Sequence, residues 1–138
     1  MTIWIGDLCY NPSMTEADVI AHWRKGAKDA LRVAVLAYED GKYALALFNA
    51  HLAIEKALKA AYMEKYRKEA PWTHDLVHLS KELDRPWTDE EERLLGHLTE
   101  YAVAARYDDP PWAEHEATQE KTSALLQRTT TLLSAFLQ

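Results

Sequence analysis

Residues 41–60 read GKYALALFNAHLAIEKALKA, and this run decides the fold. Ala, Leu, Glu and Lys, all strong helix formers, dominate it. Leu47, Ile54, Leu58 and Ala61 recur at spacings of seven, four and three residues, the mark of one buried helix face. The spacing predicts a helix from Lys42 or Tyr43 to about Tyr66. Asp40-Gly41 stands immediately before it, and a glycine tolerates the left-handed backbone with which helices end. So short a connection forces any helix upstream to lie antiparallel to this one.

Such a helix is predicted upstream. Ser13 or Thr15 offers an N-cap, with Glu16 or Asp18 three residues later to complete a capping box. Ile20, Trp23, Ala27, Ala30, Ala34 and Ala37 then form one stripe running to about Glu39, and its four alanines allow a neighbouring helix to come close. Gly26 lies inside this helix and weakens it by about 1 kcal/mol relative to Ala, a cost that close packing can offset. Downstream, Pro71 breaks the chain, and Thr73 or His74 opens a short helix ending near Leu83. Arg85-Pro86 interrupts again. Thr88 and Glu91 cap a fourth helix whose apolar face is Leu94, Leu98, Tyr101 and Ala105, and Asp108-Asp109-Pro110-Pro111 ends it. A fifth is predicted from about Ala113 to Leu137, with Leu125, Leu132 and Phe136 on one side and Leu126, Leu133 and Leu137 beside them. Thr129, Thr130 and Thr131 lower its intrinsic propensity, so packing must hold it.

The expected fold is therefore all-α: an antiparallel bundle of four longer helices plus one short one. Residues 1–12 stand apart as an extended arm, apolar at Ile3, Trp4 and Ile5, ahead of a single helical domain over residues 13–138.

Composition agrees and excludes several function classes. In 138 residues, 48 % are hydrophobic and 28 % charged, with 4 Gly and 5 Pro, the balance of a folded helical protein. The formal net charge of −6 argues against broad binding to phosphate backbones, so a nucleic-acid contact needs a local basic patch. Cys9 is the only cysteine, and no internal disulfide can form. There is no secretory start, and no run approaches the roughly 18 apolar residues of a membrane span. A cytoplasmic protein is expected.

Three segments offer chemistry. On a helical wheel with Leu47 at zero, Ile54 and Leu58 fall within about 20°, His51 at roughly 40° and Glu55 at roughly 80°. His51 is thus predicted inside the apolar arc. Glu55, one turn on, is placed to satisfy its imidazole, with Lys59 a turn further. The pair reads either as a packing device or as part of a site. Arg106 ends the fourth helix, roughly 120° from Leu94. It either caps that helix, paired with Asp108 or Asp109, or clamps a phosphate beside a cleft. His74 and His78, four apart, have a spacing that suits a shared metal. With no cysteine nearby, a helix-start role for His74, its ring held by Asp75 or a backbone group, is the stronger reading. No Gly-rich phosphate loop or Cys–His nucleophile pair is present, and no metal or cofactor is implied. The five tryptophans read as packing residues more readily than as base-stacking ones.

Together these segments resemble the HEPN family, small helical domains of prokaryotes often encoded beside a minimal nucleotidyltransferase. The resemblance runs from about Glu16 to Leu137. It rests on the Trp23 to Ala30 stretch, the 41–60 run with its aromatic, His51 and Glu55-Lys56, the His74-Asp75-Leu76 turn and the Ala105-Arg106-Tyr107 ending. It implies a homodimer with a cleft near the interface, and work on nucleotides or RNA. Many HEPN proteins are ribonuclease toxins silenced by a cognate nucleotidyltransferase, whereas others only bind. The ribonuclease branch carries an Arg, four to six residues, then a His. Here eight residues separate Arg106 from His115, two of them prolines and two aspartates.

The leading expectation is a dimeric binding or regulatory module in a toxin–antitoxin-like system. Its nucleotide or RNA ligand would meet His51, Glu55, Lys59, His74, Arg106 and Tyr107. The alternatives are a metal-independent endoribonuclease using Arg106 and His115, and a purely structural interaction protein.

Overall fold

The computed structural model describes residues 14–108 and 110–137, without the side chains of Tyr107, Asp108 and Pro110; the N-terminal arm expected over residues 1–12 lies outside the described residues. The helices are α1 (Glu16–Glu39), α2 (Tyr43–Tyr66), α3 (Leu76–Glu82), α4 (Asp89–Val103), α5 (Pro110–Glu116) and α6 (Gln119–Phe136). A π-helical turn, Ala104–Asp108, continues α4. The all-α bundle is as expected.

The chain is organised around α2, which touches each of the other five helices. Of its 24 residues, 13 are buried, including both members of the His51/Glu55 pair. A helix buried on so wide an arc must be central. Its closest partner is α1, which presents Ala27, Ala30, Ala34 and Ala37 together with Ile20 and Trp23, as the stripe required. Thr15 caps α1 through a reciprocal box, its Oγ1 accepting from Asp18 N–H and Asp18 accepting from Thr15 N–H, both at 3.1 Å. The turn to α2 is a Schellman motif. Lys42 N–H reaches Ala37 O at 2.8 Å and Gly41 N–H reaches Tyr38 O at 3.0 Å, while Gly41 sits at φ 77°.

Three boundaries differ from expectation. The short third helix starts at Leu76 rather than Thr73 or His74, because Asp75 is its cap and accepts from the N–H groups of Val77 and His78. Residues 73 and 74 are thereby released from helical geometry. The predicted fifth helix is two. Thr118 accepts from Lys121 N–H and starts α6 afresh, while Pro110 and Pro111 open α5, where a missing N–H costs nothing. The buried face of α4 is Leu94, Leu95, Leu98 and Ala102. Tyr101 is only half-buried, its hydroxyl donating to Glu116 O at 3.3 Å at the rim of the core.

The threonines of α6 are accommodated internally: Thr129, Thr130 and Thr131 each donate to the carbonyl four residues back, at 2.7, 2.9 and 3.0 Å. Among the described residues no helix is long and apolar enough to cross a membrane.

A Cβ added at Gly26 would meet the side chain of Lys56, 3.0 Å from Cδ and 3.1 Å from Nζ, with no other heavy atom nearer. A flexible lysine stem yields more readily than backbone, so the helix-propensity gain should prevail. Gly26→Ala is expected to raise the free energy of unfolding in urea by about 0.5–1 kcal/mol. A loss of stability would show instead that Lys56 cannot move.

Candidate functional site

Glu55 lies on the inner face of α2, 1 % exposed, and both its oxygens are engaged. Oε2 accepts from Lys59 Nζ at 3.2 Å, one turn along the same helix. Oε1 accepts from His74 Nδ1 at 2.9 Å, across to the segment that leads into α3. Lys59 is itself 7 % exposed, its Nζ lying 5.5 Å from the centre of the Trp23 ring on α1. One buried carboxylate thus ties α1, α2 and the approach to α3 together.

His51 joins from the same helix face. Its Nε2 donates to the backbone carbonyl of His74 at 2.7 Å. Its Nδ1 is 3.9 Å from Glu55 Oε1, beyond hydrogen-bonding distance, and has no partner although buried. The sequence reading, in which Glu55 satisfies His51 and Asp75 or a backbone group holds His74, is corrected here. His74 takes the carboxylate from another segment, at 2.9 Å, whereas His51 spans to the His74 carbonyl. Asp75 is occupied in capping α3.

Burial pushes the His51 imidazole below its ordinary value, and the positive charge of Arg106 acts in the same direction, as would a proton on His74. Glu55 and the His74 carbonyl oppose them without prevailing.

Arg106 sits on the π-helical turn, exposed, with its guanidinium carbon 4.7 Å from the centre of the Phe48 ring on α2. Such turns are rare, and common at functional sites. Phe48 escaped the sequence reading as a contact of Arg106. The only available signal was its position one turn before His51, which did not identify a partner on α4. The Tyr107 side chain lies outside the described residues.

The structure brings His51, Glu55, Lys59 and His74 into one bonded group, with Arg106 packed on Phe48 one turn before His51. His115 is exposed in the last turn of α5, and among the described residues no hydrogen bond or ion pair joins it to Arg106. His78 is paired with Glu82 at 3.7 Å while His74 is held by Glu55, so the two do not act as a metal pair. Among the described residues no group of three or more His, Cys, Asp or Glu could hold a metal ion. Grooves of about 390 and 420 Å³ run along α4 and α6, and none of these five side chains lines either one.

The family model for the HEPN domain matches residues 20–137, which take in every one of these side chains. The chain belongs to the HEPN family. A solved relative, TT1696 from Thermus thermophilus, is 27 % identical with a TM-score of 0.73, over 86 % of this chain and 94 % of that one. No curated protein matches. HEPN membership supports a module concerned with nucleotides or RNA, regulatory or nucleolytic.

The His51 environment has a consequence for stability. The native ring resists protonation, whereas the unfolded one takes a proton near pH 6.5. Its contribution is complete above that value and is lost as pH falls through it towards the depressed native value. His51→Gln, which keeps a donor for the His74 carbonyl but does not titrate, is expected to cost about 1–3 kcal/mol at pH 7. It should also flatten the decline in stability between about pH 6.5 and pH 5. An unchanged pH slope in urea unfolding would show that His51 is not the group responsible.

Proposed function

We propose that this HEPN protein is a cytoplasmic binding or regulatory module that recognises a nucleotide or an RNA end. His74 and Arg106 would be the contacting groups, and Glu55, Lys59 and His51 the buried frame that positions them. The observation that carries the reading is the exposed guanidinium of Arg106 seated 4.7 Å from the Phe48 ring, one turn before His51 on the same helix that carries Glu55. Its aromatic backing at Phe48 shields one face and leaves the planar donor edge for a phosphate. Tyr107, next in the chain, belongs to the same proposal on the family resemblance alone.

The site is local. Net charge of −6 provides no general attraction for nucleic acid, so affinity must come from these few groups. A homodimer is part of the proposal, supported by exposed Val33, Leu36 and Leu45 flanking the turn between α1 and α2. So is a nucleotidyltransferase partner in a toxin–antitoxin-like pair, which the family resemblance supports. Co-purification with such an enzyme encoded alongside is its test, and absence of any complex would remove it.

Titration with AMP, followed through amide resonances, tests the core of the reading. Arg106→Ala is expected to weaken binding by about tenfold or more, since a charge-assisted hydrogen bond contributes about 1.5–3 kcal/mol. Helicity should stay unchanged. Undiminished binding by the folded variant would reject the assignment, and sedimentation showing only monomer at every concentration would remove the dimer.

A further inference from the structure

We infer that the Lys59–Glu55–His74 chain fixes His74 as a hydrogen-bond acceptor and thereby selects ligands that carry a ribose hydroxyl, ribonucleotides over deoxyribonucleotides. The inference rests on the nucleotide reading above and adds the part of the ligand that the site distinguishes.

Donor and acceptor capacity decides the tautomer. A lysine ammonium has donors only and an ionised carboxylate acceptors only. Lys59 occupies Oε2 of Glu55, so what Oε1 meets at 2.9 Å must be an N–H. His74 Nδ1 therefore carries the hydrogen. In a neutral imidazole the other nitrogen, Nε2, is then a bare lone pair.

That lone pair faces outward. The His74 side chain is 47 % exposed, yet its Nδ1 edge is turned to a carboxylate that is 1 % exposed, so the opposite edge looks to solvent. Among the described residues Nε2 has no hydrogen-bond partner. The residue is also held firmly. Its carbonyl accepts from His51 Nε2 at 2.7 Å, and two residues on, Leu76 N–H donates to Thr99 Oγ1 at 3.1 Å on α4. An acceptor fixed by its ring and by its backbone is preorganised, so little ordering cost opposes binding.

A phosphate offers such an acceptor nothing, because it too only accepts. Ribose hydroxyls can donate, and the 2′-hydroxyl is the group by which proteins tell RNA from DNA. Arg106 supplies the complementary contact for the anion. In this inference Arg106 reads the phosphate and His74 the hydroxyl of a sugar-phosphate.

The role of Glu55 as a positioning residue has its own signature. In Glu55→Gln, Lys59 still demands an acceptor and keeps the amide oxygen. The amide NH2 is left facing His74 Nδ1, and the ring must move its hydrogen to Nε2. The acceptor becomes a donor.

The test uses the whole protein at pH 8. The 15N resonances of the His74 ring give the tautomer. Titrations with AMP, 2′-deoxy-AMP and 3′-deoxy-AMP give the selectivity. The wild-type ring is expected in the Nδ1–H form, switching to Nε2–H in Glu55→Gln. Wild-type protein should bind AMP about tenfold more tightly than 2′-deoxy-AMP, the worth of one hydrogen bond, and should bind 3′-deoxy-AMP like AMP. That preference should vanish in His74→Ala and in Glu55→Gln.

An Nε2–H ring in the wild type, equal affinity for AMP and 2′-deoxy-AMP, a loss confined to 3′-deoxy-AMP, or a preference that survives His74→Ala would each overturn the inference. AMP binding that depends on Arg106 but ignores the hydroxyls would sink it alone. No AMP binding at all would sink the nucleotide reading with it. Should Glu55→Gln fail to fold, the wild-type tautomer and the half-exposed His74→Ala variant still decide.

Discussion

A carboxylate withdrawn from water has to be compensated by hydrogen-bond donors, and Glu55 has one on each oxygen. Lys59 reaches it along α2 and His74 reaches it from the segment before α3. Burying an ion is costly, and a good pair returns most of that cost without adding much net stability. What the pair confers is position. With Glu55 fixed, the His74 ring has one orientation, its carbonyl has one place for His51 to find, and the approach to α3 is held against α2. The end of α4, bearing Arg106, is then seated on Phe48 one turn before His51.

The rest of the bundle makes this burial possible. Small residues on α1 bring it close to α2, and Trp23 covers the Lys59 ammonium with an aromatic face. That contact compensates part of the charge's lost hydration. Leu94, Leu95 and Leu98 from α4 and Leu125, Leu126, Leu132 and Leu133 from α6 close the apolar side. The site is thus open at His74 and Arg106 and sealed behind them, an arrangement suited to holding two contacting groups rigidly at a surface.

The bundle was legible because its signals are local and periodic. The Thr15 box, the Asp40-Gly41 stop and the Thr88 cap are each written in a few neighbouring residues, and the buried stripe of α1 follows from spacing alone. The break at Thr118 was not legible, since a threonine after an alanine gives no stronger stop than those inside α6 that remain helical. At the site, wheel geometry placed His51 in the core and put Glu55 within reach of Lys59. It failed on the partner of Glu55, because sequence spacing ranks neighbours on one helix and says nothing about a ring arriving from 19 residues away. The contact of Arg106 with Phe48 was hidden for the same reason, and further by the π-helical turn, which rotates residues away from the regular wheel.

Position at this site depends on Glu55 being a buried charge whose environment is completed by Lys59. Urea unfolding of Lys59→Met, Glu55→Gln and the double variant measures that dependence directly. Lys59→Met alone is expected to lose about 3–5 kcal/mol, because it strands a buried carboxylate. The double variant should then be more stable than Lys59→Met, since neutralising Glu55 removes the stranded charge. Losses that simply add, to within about 0.5 kcal/mol, would mean that the two groups do not depend on one another and would contradict it.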